Sequence, residues 1–220
     1  MNSPPNTYIE HTALKPDLRD SDIDQLIAEA FEFQFLGICI PPFWVKKASR
    51  ELQRSEIQLV TVIGFPLGYQ RTESKIKEIE LAIADGADEL DLVMNVSAFK
   101  SGMNWPKIEM AKCAKIAHEH SKMLKVIVET ALLTKDELVE VSKIVSDSGA
   151  DFIKTSSGFA SRGANLDDIR IMKANISSNV GIKASGGIKT LSDLMKMVET
   201  GAERIGTSSG LKIMREYQNG

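Results

Sequence analysis

Two kinds of segment alternate along the chain. Short apolar segments rich in β-branched residues are typical of buried strands, and longer segments with apolar residues every three or four positions are typical of amphipathic helices. The predicted strands are 8–11, 36–40, 59–64, 89–95, 124–129, 152–155, 181–184 and 204–207. Segments such as ESKIKEIELAIAD and DELVEVSKIVSD lie between them and are predicted to be helical.

The ends of several helices carry recognisable signals. Gly86, Gly149 and Gly201 lie in DGADE, SGADF and TGAER, each at the end of a helical segment and two or three residues before a strand. Glycine at that place predicts a helix that ends in a left-handed residue. Thr134 and Thr190, each followed three residues later by an acidic residue, predict helix starts.

Strands that are apolar throughout and joined by helices predict a parallel sheet covered on both faces. Eight such strands in 220 residues fit an α/β fold of the closed (β/α)₈, or TIM, barrel type. We therefore predict one barrel domain over residues 1–220 with a short N-terminal extension. An open, doubly wound sheet is the alternative, because the pattern alone does not show closure.

The overall composition excludes some partners. A net charge of −3 argues against non-specific nucleic-acid binding, which needs an excess of basic residues. The longest uncharged apolar-rich stretch, 35–45, contains two prolines and is too short to span a membrane. The first residues lack the pattern of a signal peptide, and the two cysteines have no metal-like spacing. We expect a cytoplasmic protein.

Three charged residues lie in or at the end of predicted strands. Lys154 ends one strand in FIKTSSG, Lys183 ends the next in GIKASGG, and Asp91 lies within ELDLVMN. A barrel places such strand ends at one face, where active sites form. A dry pocket and a neighbouring cation both favour the neutral amine that a Schiff-base lysine needs, and Asp91 would carry protons. A structural ion pair between Lys154 and Asp91 is the alternative that the residues alone leave open.

Two loops rich in glycine and serine predict a phosphate site. SGGIKT follows the seventh strand and contains Gly186 and Gly187, and GTSSG follows the eighth and contains Ser208 and Ser209. Phosphate sites in barrels form at this pair of loops, where backbone N–H groups and a helix N-terminus meet the anion. The motifs are weak in isolation, and their position makes them more specific.

The whole chain resembles the deoxyribose-phosphate aldolases, a class I aldolase family. The ordered motifs that carry the resemblance are IEHTALKP, GICIPP, TVIGFPLG, AIADGADELDLVMN, KVIVET, DFIKTSSGF, IKASGGI and RIGTSSG. The resemblance implies a (β/α)₈ barrel that reversibly cleaves 2-deoxy-D-ribose 5-phosphate to acetaldehyde and D-glyceraldehyde 3-phosphate through a lysine Schiff base. It implies no metal and no other cofactor, and a small phosphorylated sugar and an aldehyde as partners; a homo-oligomer stays open.

The resemblance assigns roles position by position. Lys154 matches the Schiff-base lysine, Lys183 the second lysine that keeps the reacting amine neutral, and Asp91 the proton-transferring aspartate. The positions expected to bind substrate or phosphate are Gly186, Gly187, Gly206, Ser208, Ser209, Ser157, Gly158, Glu10 and the pocket-lining Cys39.

Three departures from the family pattern stand out. Glu10 occupies a position where aspartate is more usual, which would shift contacts to substrate hydroxyls. Ser157 replaces a common threonine. The chain lacks a longer tail ending in tyrosine, and Tyr217, on a predicted helix, is not assigned that role.

Two other functions stay open at this point. One is another phosphate-binding barrel, an isomerase or epimerase, in which Lys154 only binds charge. The other is a barrel that binds a phosphorylated sugar without catalysis. A metal-dependent aldolase is not expected, because no cluster of histidines and carboxylates has the spacing of metal ligands.

Overall fold

Eight parallel strands, paired in chain order with the last against the first, form a closed barrel in the computed structural model, which describes residues 3–219. The strands are β1 (Ile9–Thr12), β2 (Gly37–Ile40), β3 (Gln58–Ile63), β4 (Glu89–Val93), β5 (Met123–Ile127), β6 (Phe152–Lys154), β7 (Gly181–Ser185) and β8 (Arg204–Thr207). The helices are α1 (Asp20–Phe33), α2 (Val45–Glu51), α3 (Thr72–Asp85), α4 (Val96–Lys100), α5 (Trp105–Glu119), α6 (Lys135–Asp147), α7 (Leu166–Asn175), α8 (Leu191–Thr200) and α9 (Gly210–Asn219).

The predicted (β/α)₈ barrel is confirmed, and the open sheet is excluded by the pairing of β1 with β8, in which Glu10 lies opposite Gly206. The short extension before β1 contains a 3₁₀ turn, Pro5–Thr7. Strand ends differ by one or two residues from the prediction. For example, the segment 89–95 stops being a strand at Val93, because Asn95 caps α4 by accepting a hydrogen bond from the backbone N–H of Ala98 at 3.0 Å.

The predicted helix ends are confirmed as well. Gly86, Gly149 and Gly201 have φ angles of 103°, 80° and 127°, a region that favours glycine. Thr134 and Thr190 cap α6 and α8, and each accepts a hydrogen bond from the backbone N–H three residues later. These signals are local, so the chain encodes them without reference to the rest of the fold.

Successive side chains along each strand point alternately to the helix-facing core and to the barrel interior. On β4, Leu90 and Leu92 belong to the apolar core under the helices, and Glu89 and Asp91 point to the interior. On β6, Ile153 faces the helices, so its neighbour Lys154 faces inward. The register therefore concentrates the buried charges inside the barrel.

Candidate active site

Lys154, Lys183 and Asp91 meet in the barrel interior, as the sequence predicts. Lys154 is the last residue of β6 and lies beside Lys183 of β7 in the strand register. Lys154 Nζ donates to Asp91 Oδ2 at 2.8 Å, and Lys183 Nζ donates to the same oxygen at 2.6 Å. All three residues are buried, so one carboxylate oxygen is shared by two amines away from solvent.

Two further charged residues complete this cluster. Lys125 of β5, which the sequence analysis did not single out, is fully buried and donates to Asp91 Oδ1 at 3.0 Å. Glu10 of β1 accepts a hydrogen bond from Lys183 and lies 3.6 Å from Lys125 Nζ. Glu10 therefore binds the lysines beneath the cavity, and the expectation that it meets substrate hydroxyls has no support in its placement.

The charges of the cluster follow from these contacts. Burial alone would raise the pKa of the Asp91 carboxyl, but Lys125, Lys154 and Lys183 outweigh it and hold that pKa well below its usual range. Burial works against the charge on Lys183, yet Asp91 and Glu10 raise its pKa. The same carboxylates raise the pKa of Lys125 against burial. Lys125 and Lys183 therefore stay protonated.

Glu10 is likewise an anion. Burial would raise the pKa of its carboxyl, but Lys125 and Lys183 lower it. Two carboxylates thus balance two ammonium groups, and Lys154 is the third amine. Among the described residues Lys154 forms an ion pair with Asp91 alone, whereas Lys183 has two carboxylate partners. A neutral Lys154 leaves the five-residue cluster without net charge.

A cavity of about 1040 Å³ opens above the cluster at the carboxyl ends of the strands. Lys154 lines it, whereas Lys183 and Asp91 lie below its surface. All seven residues predicted for the neighbouring loops also line it: Ser157, Gly158, Gly186, Gly187, Gly206, Ser208 and Ser209. The structure therefore places the Lys154 side chain and the predicted phosphate loops around one space.

The phosphate loops have the backbone shape that an anion site needs. Gly186 and Gly187 have φ angles of 83° and 79°, which exposes the backbone where side chains are rarely tolerated. Ser208 and Ser209 directly precede Gly210, the first residue of α9, so they lie at a helix N-terminus. Backbone N–H groups at a helix N-terminus favour an anion in this place.

Glu129, at the end of the predicted strand 124–129, shapes the loop after Lys154. Its carboxylate accepts hydrogen bonds from the hydroxyl of Ser157 and, at 3.2 Å, from the backbone N–H of Ser157. The Ser157 hydroxyl oxygen in turn accepts from the backbone N–H of Phe159 at 3.1 Å. Glu129 has a φ of 55°, a conformation that glutamate seldom adopts. The signal in the sequence is a carboxylate at the end of the apolar predicted strand 124–129.

Cys39 and Tyr217 are not part of the cavity wall. Cys39 is fully buried with Val60 and Val62 in the barrel interior, and burial raises the pKa of its thiol to about 11. The prediction that Cys39 lines the pocket has no support in this placement. Tyr217 lies on α9, the helix that its sequence context predicted, and is 41% exposed.

Residues 3–219 contain neither a metal-binding cluster nor a membrane-spanning helix. No group of three or more histidines, cysteines and carboxylates in that range has the geometry to hold a metal ion. None of the helices described there combines the length and apolar composition that crossing a membrane requires.

The chain is similar to known aldolases over nearly its whole length. The sequence model of the DeoC/LacD family of aldolases matches residues 7–216. A deoxyribose-phosphate aldolase from Metamycoplasma arthritidis is 46% identical over 218 residues, which cover 97% of this chain and 98% of that protein. One from Thermococcus gammatolerans is 42% identical over 215 residues and covers 96% of each chain.

Solved structures give the same result. An aldolase called QR15 superposes with a TM-score of 0.93 at 40% identity and covers 100% of this chain and 97% of its own. The tetrameric deoxyribose phosphate aldolase from Aeropyrum pernix superposes with a TM-score of 0.90 at 30% identity and covers 98% of this chain and 92% of its own.

Proposed function

The chain belongs to the DeoC/LacD family of aldolases, and we propose that it reversibly cleaves 2-deoxy-D-ribose 5-phosphate to acetaldehyde and D-glyceraldehyde 3-phosphate through a Schiff base on Lys154. The observation that carries this proposal is the position of Lys154 at the floor of the cavity, where it shares one Asp91 oxygen with Lys183. The names of the relatives support the substrate.

The reaction begins with the neutral amine of Lys154. Its nitrogen attacks the aldehyde carbon C1 of the sugar and passes a proton to the carbonyl oxygen, which gives a carbinolamine. The hydroxyl then takes up one further proton and leaves as water, which gives an iminium ion. Asp91 Oδ2 contacts both Lys154 and Lys183, so it links the reacting nitrogen to a protonated amine that exchanges protons with it.

Cleavage then breaks the bond between C2 and C3. The iminium withdraws the bonding electron pair, the C3 hydroxyl gives its proton to solvent water, and C3 leaves as the aldehyde of D-glyceraldehyde 3-phosphate. The enamine left on Lys154 takes a proton at C2, and water hydrolyses the resulting iminium to acetaldehyde and free Lys154. The substrate phosphate would lie against the loops that contain Gly186, Gly187, Ser208 and Ser209, with its charge towards the N-terminus of α9.

Borohydride trapping tests this proposal directly. The protein is incubated with acetaldehyde and sodium borohydride and analysed by intact and peptide mass spectrometry. We expect one ethyl group on Lys154, since only an iminium is reduced onto the amine. The Lys154→Met variant should lose the adduct, and the Lys46→Met variant, which removes a lysine whose side chain is 76% exposed, should keep it.

The outcome also separates the alternatives. A folded protein without an adduct would contradict the aldolase mechanism and favour a barrel that only binds a phosphorylated sugar or isomerises one.

Further properties belong to the same proposal. We propose that residues 1–220 act as one catalytic domain, in the cytoplasm, and that the reaction uses no metal or other cofactor, which activity in the presence of a chelator would test. One relative is described as tetrameric. Light scattering of the purified protein would show whether this chain also assembles.

A further inference from the structure

A line of charged side chains runs through the barrel interior from the end opposite the cavity. Arg204 of β8 contacts Glu89 of β4 at 3.4 Å, and the other oxygen of Glu89 lies 2.5 Å from Lys125 Nζ. Lys125 contacts Asp91 at 3.0 Å, and Asp91 contacts Lys154 at 2.8 Å. The line therefore connects the far end of the barrel to the reactive amine through alternating charges.

Adding Glu89 and Arg204 to the cluster gives a set of seven charged or titratable residues, six of which are buried. The carboxylates are Glu10, Glu89 and Asp91, and the bases are Lys125, Lys154, Lys183 and Arg204. With every group charged, the set carries one excess positive charge, and it is neutral when one base has lost its proton. Lys125 and Lys183 hold their protons, arginine does not titrate in proteins, and the proposed reaction starts from the neutral amine of Lys154, so the set is neutral when Lys154 is ready to react.

We propose that Glu89 and Arg204 are positioning residues that set the pH range in which Lys154 reacts, by fixing the charge at the far end of this line. The inference rests on the proposed role of Lys154. Neither residue lines the cavity, so neither contacts the substrate. Their side chains are 4% and 15% exposed, so water screens their charges weakly.

Other charged or titratable groups also face Lys154 and stay constant in the experiment below. Inside the barrel they are Asp91, Lys183, Glu10, Cys39 and Lys125, and just after β5, which pairs with β6, lies the buried Glu129. Those that line the cavity above are His11, Lys15, Asp17, Arg19, Asp22, Glu29 and Lys189. His11 is already paired with Glu29 at 2.8 Å.

The test measures the rate of ethyl-adduct formation on Lys154 with acetaldehyde and cyanoborohydride as a function of pH. Glu89→Gln leaves extra positive charge in the line, which drives the proton from Lys154, so the acid limb of the profile should move to lower pH. Arg204→Met removes positive charge, so the limb should move to higher pH. For a charge about 10 Å away we expect shifts of about half to one pH unit. The double variant should restore the wild-type limb.

Variants that keep the charge are the matched controls. Glu89→Asp and Arg204→Lys should leave the limb in place even where they lower the rate. Limbs that stay at the wild-type position in both charge variants, or that move in the same direction, would refute the inference. If thermal melting shows that Glu89→Gln does not fold, the inference is tested by comparing the acid limbs of Arg204→Met and Arg204→Lys. A wild-type protein without an adduct would contradict both the proposed function and this inference. An adduct on the wild-type protein, with acid limbs of the pH profile that do not move in the charge variants, would contradict the inference alone.

Discussion

Replacing Lys183 with methionine removes a buried ammonium group next to Lys154 while keeping a side chain of similar length. Both amines donate to Asp91 Oδ2, at 2.6 and 2.8 Å, so their nitrogens lie at most about 5.4 Å apart. With an effective dielectric constant of about 20, two positive charges at about 5 Å repel by about 3 kcal/mol. This corresponds to about two pH units.

The sign of the effect follows from that repulsion. A charged Lys183 disfavours the protonated form of Lys154, so its removal lets Lys154 keep a proton to higher pH. We expect the acid limb of the kcat/KM profile for cleavage of 2-deoxy-D-ribose 5-phosphate to move up by as much as about two units, and the value at pH 7 to fall by about 10- to 100-fold. A coupled assay of D-glyceraldehyde 3-phosphate from pH 5.5 to 9 measures both quantities.

The controls separate charge from folding. The Lys46→Met variant should keep the wild-type profile, and thermal melting shows whether Lys183→Met is folded. A folded Lys183→Met protein with lower activity at every pH and an unmoved acid limb would refute the electrostatic role and leave Lys183 a structural one.

Three further predictions follow from other contacts. Buried lysines depress the pKa of Asp91 in the folded state. The contribution of Asp91 to stability is therefore present above the ordinary carboxyl pKa of about 4 and is lost as the pH falls below that value. Tm should hold from pH 7 to 5 and fall below pH 4, and a Tm that does not change with pH would contradict this. Gly186→Ala places a Cβ 2.9 Å from the backbone of a neighbouring loop at a φ of 83°, so KM for the phosphorylated sugar should rise about tenfold while acetaldehyde trapping is unchanged. The control is Gly149→Ala, at a φ of 80° with open space around the new Cβ. It should lower the free energy of unfolding by about 1 kcal/mol and leave KM unchanged. Glu129→Gln weakens the hydrogen bonds to Ser157 and should lower the maximal kcat/KM about tenfold; a folded variant with unchanged kcat/KM would contradict this.

The strands and the helix ends could be predicted because each depends on nearby residues. A glycine after a helix and a threonine before one satisfy backbone hydrogen-bonding groups within a few positions. The sequence around Gly86 and Thr134 is therefore enough to predict the helix ends there. Strand ends were less certain, because they depend on contacts outside the strand. The end of β4 depends on the cap of α4, and that of β5 on the unusual backbone of Glu129.

The contacts of Lys125 could not be predicted in the same way. Its place inside an apolar strand was a usable signal, equal to the one that identified Asp91. The pairing itself depends on register, because Asp91 lies opposite Lys125 only when β4 and β5 align as they do in the structure. A shift of one residue would turn one of the two side chains towards the helices. A charged residue inside a buried strand therefore indicates an interior network before its partners are known.

The assignment of the reactive lysine depends on barrel closure. FIK and GIK lie in adjacent strands with Lys154 opposite Lys183, so the local sequence does not distinguish the two lysines, although Lys154 ends β6 and Lys183 lies in the middle of β7. The difference arises from Glu10, which is 173 residues from Lys183 in sequence and reaches it because β1 pairs with β8. That second carboxylate keeps Lys183 charged, whereas Lys154 forms its ion pair with the shared Asp91 alone among the described residues. The same closure that completes the sheet thus makes one lysine a permanent cation and leaves the other free to act as the nucleophile we propose.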